Sequence, residues 1–191
     1  MSTRIAIAAL VTLGALSLGA AEPRNTPIER FAAASPVMTS AARLTMRPVE
    51  IAITRWSTYP ERRALATALI EDGPFAFERL LCNYAAAGTI SVVGGPEVII
   101  RYAWSITELD GNRRIYLATD TPVSLSTGWF PRPDDEPLTF VELRLTPDGD
   151  GEGKLSDAAR LFVETGNIVE IGDYNRRPVH LLAVHAEPPL D

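Results

Sequence analysis

Three acidic residues at alternate positions could bind a calcium ion. Asp148, Asp150 and Glu152 are separated by single glycines, and Gly153 follows them. Acidic ligands at positions 1, 3 and 5 of a loop, with glycine at position 6, are typical of calcium loops between helices. Such a loop also requires a bidentate glutamate at position 12, where this chain has Ala159. The sequence therefore favours a glycine-rich hairpin turn with solvated carboxylates, and we predict no metal.

Two arginine and tryptophan pairs could bind an anionic or aromatic ligand. Arg55 precedes Trp56, and Arg101 lies on the same predicted strand as Trp104. At the mouth of a barrel, a guanidinium and an indole can hold such a ligand. The alternative is structural, because strand arginines pair with glutamates across a sheet and tryptophans fill cores. The glutamates available for such pairs are Glu50, Glu97 and Glu142.

Other catalytic side chains are few. His180 and His185 lie five residues apart on one predicted strand, so we expect them on opposite faces, unable to share a metal ion. Cys82, the only cysteine, is expected to be a buried apolar thiol. The acidic run 134–136 beside the aromatic residues 129–130 could line a glycosidase-like cleft, although a solvated loop explains the same residues.

The composition argues against a nucleic acid partner. The chain has 191 residues, of which 46% are hydrophobic and 22% are charged, as expected for a globular domain with a buried core. Lys154 is the only lysine and the formal net charge is −6, so no basic surface is available for nucleic acid. We expect no nucleic acid partner and no cofactor.

Residues 1–21 have the pattern of a secretory signal peptide. Arg4 gives a positive start, an apolar stretch runs from Ile5 to Leu18, and small residues follow as far as Ala20 and Ala21. The apolar stretch is shorter than the roughly 20 residues that span a bilayer. We predict cleavage near Ala20 or Ala21, no membrane span afterwards, and a soluble protein in the periplasm or outside the cell.

The rest of the chain predicts a flexible leader followed by one domain. Residues 22–48 are rich in proline, alanine, serine and threonine without a sustained period, which indicates a poorly ordered leader. From Val49, short alternating segments recur, and the turns between them are too short for parallel crossovers. Over 49–187 we predict a mainly β domain, an antiparallel meander of about seven to nine strands that forms a barrel or a sandwich.

A helical hairpin interrupts the strands after the first of them. Thr58, Pro60 and Glu61 form a capping box that begins a helix. Gly73 ends that helix, and a second one with apolar residues at helical spacing is predicted to end at Gly88. We expect the pair to pack on one face of the sheet or to plug one end of the barrel.

The clearest strand follows this hairpin. Val98, Ile100, Tyr102 and Trp104 alternate with more polar residues. This period of two predicts that all four side chains lie on one face of the sheet, in the central core.

Several strand ends and turns resemble an uncharacterised family of exported bacterial proteins. The similar blocks are 51–58, 101–103, 115–122, 148–156 and 169–184. The resemblance covers residues 45–187, and its motifs are turns and strand ends rather than chemical groups. It implies a single exported domain and transfers no catalytic or binding residue.

These observations favour an exported, non-catalytic binding or interaction module for an envelope protein or a small ligand. The alternatives are a periplasmic hydrolase with carboxylate-based chemistry and a structural accessory protein of the cell envelope. A pocket with two carboxylates about 5 to 10 Å apart would favour the enzyme. A filled interior with an exposed apolar patch would favour the interaction module.

Overall fold

The protein folds into a closed antiparallel barrel with helices on its outer wall. The computed structural model describes residues 26–38, 43–123, 138–156, 160–164, 168–172 and 179–188. The barrel strands are β1 (Glu29–Met38), β2 (Leu44–Ile53), β3 (Gly88–Val92), β4 (Glu97–Thr107), β5 (Arg113–Thr119), β6 (Phe140–Leu145), β7 (Asp150–Ser156) and β10 (Val179–Glu187). A separate two-stranded sheet contains β8 (Arg160–Glu164) and β9 (Ile168–Gly172).

The strand order confirms the predicted meander. Around the barrel the order is β1, β10, β7, β6, β5, β4, β3, β2, and every pair of neighbours is antiparallel. Within the described residues, only the β8–β9 hairpin interrupts the sequence of neighbouring strands. The mainly β fold with a helical hairpin is therefore confirmed, and it is a barrel rather than a sandwich.

The predicted flexible leader contains a barrel strand. β1 lies within residues 22–48, and it pairs with β2 over its whole length and with β10 from Arg30 to Ala34. Its inward side chains include Phe31, Ala33 and Ser35, all of which are buried. The outward Ala32 and Ala34 are small and apolar like the inward Ala33. The sequence therefore shows no contrast between polar and apolar positions that would mark a strand. The prediction of a poorly ordered leader is wrong for β1.

A β-bulge divides the residues of the clearest predicted strand. The register of β4 against β5 shifts between Ile100 and Tyr102. Val98 and Ile100 lie in the barrel core, whereas Tyr102 packs outside with the helices and Trp104 is only half-buried. Ala103 takes the next place in the core. The prediction of one core face is therefore wrong beyond Ile100, because a bulge adds one residue and reverses the alternation.

The helical hairpin packs on the wall of the barrel. Helix α1 (Tyr59–Thr67) begins at the predicted capping box, continues through a π-helical turn (Ala68–Asp72), and is followed by α2 (Pro74–Cys82). A second apolar cluster joins the helices to the outer face of β5 and the start of β6. Its buried members are Leu65, Leu69, Phe77, Leu81, Ala118 and Leu138. The second helix ends earlier than predicted, because Gly88 begins β3.

An ion pair crosses the barrel end at which β1 begins. Glu29 of β1 accepts two hydrogen bonds from the Arg113 guanidinium of β5, at 2.6 and 3.1 Å. β1 and β5 stand four strands apart in a barrel of eight, so the pair joins opposite walls. Because Arg113 donates these hydrogen bonds in its charged form, they raise its pKa. In the described part of the chain, no helix is long and apolar enough to cross a membrane.

Candidate functional site

The two predicted ligand-binding arginines hold the same loop. Arg55 donates to the carbonyls of Ala86 at 3.3 Å and Ala85 at 2.8 Å, and it pairs with Glu61 at 3.1 Å. Arg101 donates to the carbonyl of Tyr84 at 3.0 Å and pairs with an aspartate, Asp120, at 2.6 Å. Three consecutive carbonyls between α2 and β3 are thus bound by two guanidinium groups. Neither arginine pairs with the glutamates proposed from the sequence.

The two predicted ligand-binding tryptophans lie in different places. Trp56 packs against the barrel core from the segment after β2. Trp104 lies on the outer wall, where the Arg62 guanidinium is 5.2 Å from its ring centre. The structure brings Arg55 and Arg101 to one loop but does not gather all four residues at a barrel mouth. Their role in ligand binding stays a prediction.

Tyr102 interacts with Arg62, and its buried hydroxyl makes the stability of the protein depend on pH. Burial raises its pKa from 10.0 to about 12, and the charge and hydrogen bond of Arg62 offset part of the increase. The unfolded chain loses this proton at lower pH than the folded protein does. The stabilisation is therefore complete below pH 10 and is lost as the pH rises towards 12.

We expect urea unfolding of the wild type to show a marked loss of stability between about pH 9 and about pH 11. Tyr102→Phe should lose less stability over the same range, since phenylalanine has no proton to release. Equal losses in both proteins would contradict the burial of this hydroxyl.

The calcium-like residues form a hairpin turn, as predicted. Asp148 and Gly149 lie in the turn between β6 and β7, and Gly149 has a φ of +89°. Asp150 and Glu152 already belong to β7, and Asp150 contacts the ring Nδ1 of His185 at 2.7 Å. Among the described residues, no three histidine, cysteine or acidic side chains are grouped closely enough to hold a metal ion.

The two histidines lie in a strand that is less regular than predicted. β10 changes register between Leu181 and Val184, where Ala183 has a φ of +48°. This irregularity leaves both His180 and His185 exposed, about 15 Å apart along the strand. They are still too far apart to share a metal ion.

Cys82 is exposed rather than buried. Partial desolvation, and then the nearby negative charge of Asp120, raise the pKa of its thiol. The thiolate is therefore disfavoured, and Cys82 has poor nucleophilic character. The predicted signal peptide 1–21 and the acidic run 134–136 with residues 129–130 lie outside the described residues.

A groove lies on the outer wall of the barrel, and we call it the outer groove. Its volume is about 350 Å³. It crosses the outward faces of β1, β2, β3 and the adjoining strand ends. The polar side chains that line it are Arg30, Glu50, Thr54, Thr89, Ser91, Glu97 and Glu187.

The register explains the shape of the outer groove. Glu50 lies opposite Ser91, which in turn lies opposite Glu97. Two glutamates on strands separated by β3 thus flank a small side chain, with their Cα atoms about 10 Å apart. On β1, Ala32 lies opposite Glu50, and Arg30, two residues earlier, lies opposite Glu187 of β10. Its Nε is buried, and no described atom accepts a hydrogen bond from it.

An arm extends from the barrel next to the outer groove. β1 pairs with β10 only as far as Ala34, and β2 pairs with β3 only from Val49 onwards. Residues 35–38 and 44–48 therefore pair mainly with each other; we call them the β1–β2 arm. On its outward face Leu44 is 67% exposed and Met46 is 50% exposed. By the alternation of β2, these two apolar side chains lie on the same outward face as Glu50, which lines the groove.

A proline protects one edge of the β1–β2 arm. Val93 donates its N–H to the Pro48 carbonyl at 2.9 Å, which extends the ladder by one step. Proline has no N–H to return, and the Arg47 guanidinium donates to the Val93 carbonyl instead. Proline at a sheet edge hinders the addition of another strand. Pro48 therefore hinders strand addition at this edge of the arm.

The sequence pattern predicted neither the outer groove nor the arm. Leu44 and Met46 lie in the segment predicted to be a flexible leader, and Glu50 and Glu97 were expected to pair with strand arginines. The outward positions of the glutamates were predictable from the alternation. Their proximity depends on β3, which places two distant segments on either side of Ser91.

Comparison with known proteins gives no match. No protein-family model fits the chain, and no curated protein or solved structure is significantly similar to it. The resemblance to an uncharacterised exported family stays a prediction. The function must accordingly be inferred from the barrel itself.

Proposed function

We propose that this protein is an exported, non-catalytic interaction module that binds a polypeptide partner on the outer wall of its barrel. The observation that supports this proposal is where the apolar side chains lie. Large buried residues such as Phe31, Ile51 and Leu143 pack the barrel core, and an eight-stranded barrel is just wide enough for such a filling. Leu44 and Met46 are instead exposed beside the outer groove. An exposed apolar face of this kind favours protein contacts.

Export rests on the signal-peptide pattern of residues 1–21. The resemblance to exported bacterial proteins supports the same location. An envelope protein or a secreted polypeptide is therefore the partner class that fits this address.

A carboxylate-based hydrolase is the alternative that the outer groove keeps open. Glu50, Glu97 and Glu187 line it together. A general acid must retain its proton near neutral pH, which enzymes achieve by burying the carboxyl group away from water. These three residues are exposed on an outer wall. Binding is thus the better supported role, and a purely structural role leaves the exposed apolar arm without a purpose.

The test is a selection of phage-displayed random peptides on the purified protein. We expect enriched peptides whose affinity falls about tenfold or more with Met46→Glu, because the charge disrupts an apolar contact. Leu109→Glu is the matched control, since Leu109 is fully exposed on the distant β4–β5 turn. Failure to enrich any peptide, or equal binding by Met46→Glu, would overturn the proposal. Cleavage of bound peptides that Glu50→Gln abolishes would establish the hydrolase instead.

A further inference from the structure

We infer that the partner places a lysine or arginine side chain in the outer groove between Glu50 and Glu97, while its neighbouring apolar residues cover the β1–β2 arm. This inference rests on the proposed function and adds the chemistry of the partner. It is carried by the geometry of the groove together with the exposed apolar side chains on the same outward face of β2.

The seat for a cation lies above Ser91. Glu50 and Glu97 stand on either side of this small residue in one cross-strand row. A charged group centred over Ser91 is about 5 Å from each flanking strand, within reach of both glutamate side chains. Serine leaves the space above it open, which a larger side chain at this position would fill. A single ammonium or guanidinium group can therefore contact two carboxylates.

The charge of the outer groove selects a basic partner. Three carboxylates, from Glu50, Glu97 and Glu187, line it against the single guanidinium of Arg30. The whole chain is also acidic, with a formal net charge of −6. An anionic partner would be repelled at this surface, whereas a basic one is attracted during association and held at the contact.

The positions along β2 set the spacing of the recognised residues. Leu44, Met46, Pro48 and Glu50 are outward positions on one strand. Met46 and Glu50 are separated by about 13 Å, the length of four residues in an extended chain. A partner that runs along β2 should therefore carry an apolar residue about four positions from its basic residue. This spacing distinguishes a recognised segment from any merely basic peptide.

The experiment repeats the peptide selection and then measures binding of one enriched peptide by fluorescence anisotropy. We expect the enriched peptides to contain lysine or arginine about four residues from an apolar residue. Glu50→Gln with Glu97→Gln should weaken binding about tenfold or more. Glu71→Gln with Glu152→Gln is the matched control, because it removes the same charge from exposed positions outside the groove and should change affinity little.

A second peptide, in which glutamine replaces the basic residue, completes a double-mutant cycle with the groove variant. It should bind the wild type as weakly as the original peptide binds the groove variant, and combining both changes should add no further loss. Enriched peptides that lack a basic residue, or that bind the groove variant as tightly as the wild type, would overturn this inference. If these peptides still depend on Met46, the proposed function stands; if none depends on Met46, both fall.

Discussion

Replacing Phe31 by alanine is expected to destabilise the protein by about 3 to 5 kcal/mol, measured by urea unfolding. Phe31 is 1% exposed, and it is among the largest of the fully buried side chains. Its truncation removes the ring from a core in which β1 touches both β2 and β10. The neighbouring side chains belong to rigid strands and cannot collapse fully into the cavity.

Ile28→Ala is the matched control, because Ile28 precedes the strand and is 53% exposed. Its cost should be below about 0.5 kcal/mol. A loss of less than about 1 kcal/mol for Phe31→Ala would mean that β1 is dispensable. The barrel would then be open between β10 and β2, and a flexible leader would be the correct description of residues 22–48.

Gly151→Ala is expected to cost about 3 kcal/mol or more, because the added methyl group meets backbone rather than a movable side chain. A Cβ at Gly151 would lie 1.9 Å from the Arg144 carbonyl oxygen and 3.0 Å from the Leu145 Cα. β6 and β7 are directly paired at this point. Relief of the clash therefore requires the two strands to separate.

Gly73→Ala separates steric conflict from backbone strain. Gly73 has a φ of +86°, yet no atom lies within 4 Å of an added Cβ. Its ψ is −177°, a backbone region almost confined to glycine, so alanine there should cost about 1 to 3 kcal/mol through strain alone, less than at Gly151. The comparison uses the same urea unfolding measurement. Equal costs at the two glycines would show that the approach of β6 to Gly151 is looser than described.

Local sequence signals predicted the elements that depend on neighbouring residues. The capping box is formed, since Thr58 and Glu61 satisfy each other's backbone N–H groups. The turn between β4 and β5 is also of this local kind, with Gly111 at a φ of +86°. Both depend on contacts within a few residues. The meander follows from such turns, because a short turn leaves each strand beside its predecessor.

Features that depend on distant residues were not predictable in the same way. The bulge after Ile100 is not marked by a glycine, and Arg101 finds its partner, Asp120, on the segment after β5. β1 is recognisable only once β10 and β2 are beside it. The outer groove likewise needs Glu50 and Glu97 to meet across β3. Each of these features is produced by closure of the barrel rather than by a local pattern.

The position of the β1–β2 arm gives the molecule a direction. The chain enters the barrel at Glu29 and leaves it at Glu187, and Arg30 and Glu187 are directly paired. The arm lies at the other end of β1, about 30 Å away. A partner bound at the arm therefore approaches the barrel from the end opposite to the one at which the chain enters and leaves it.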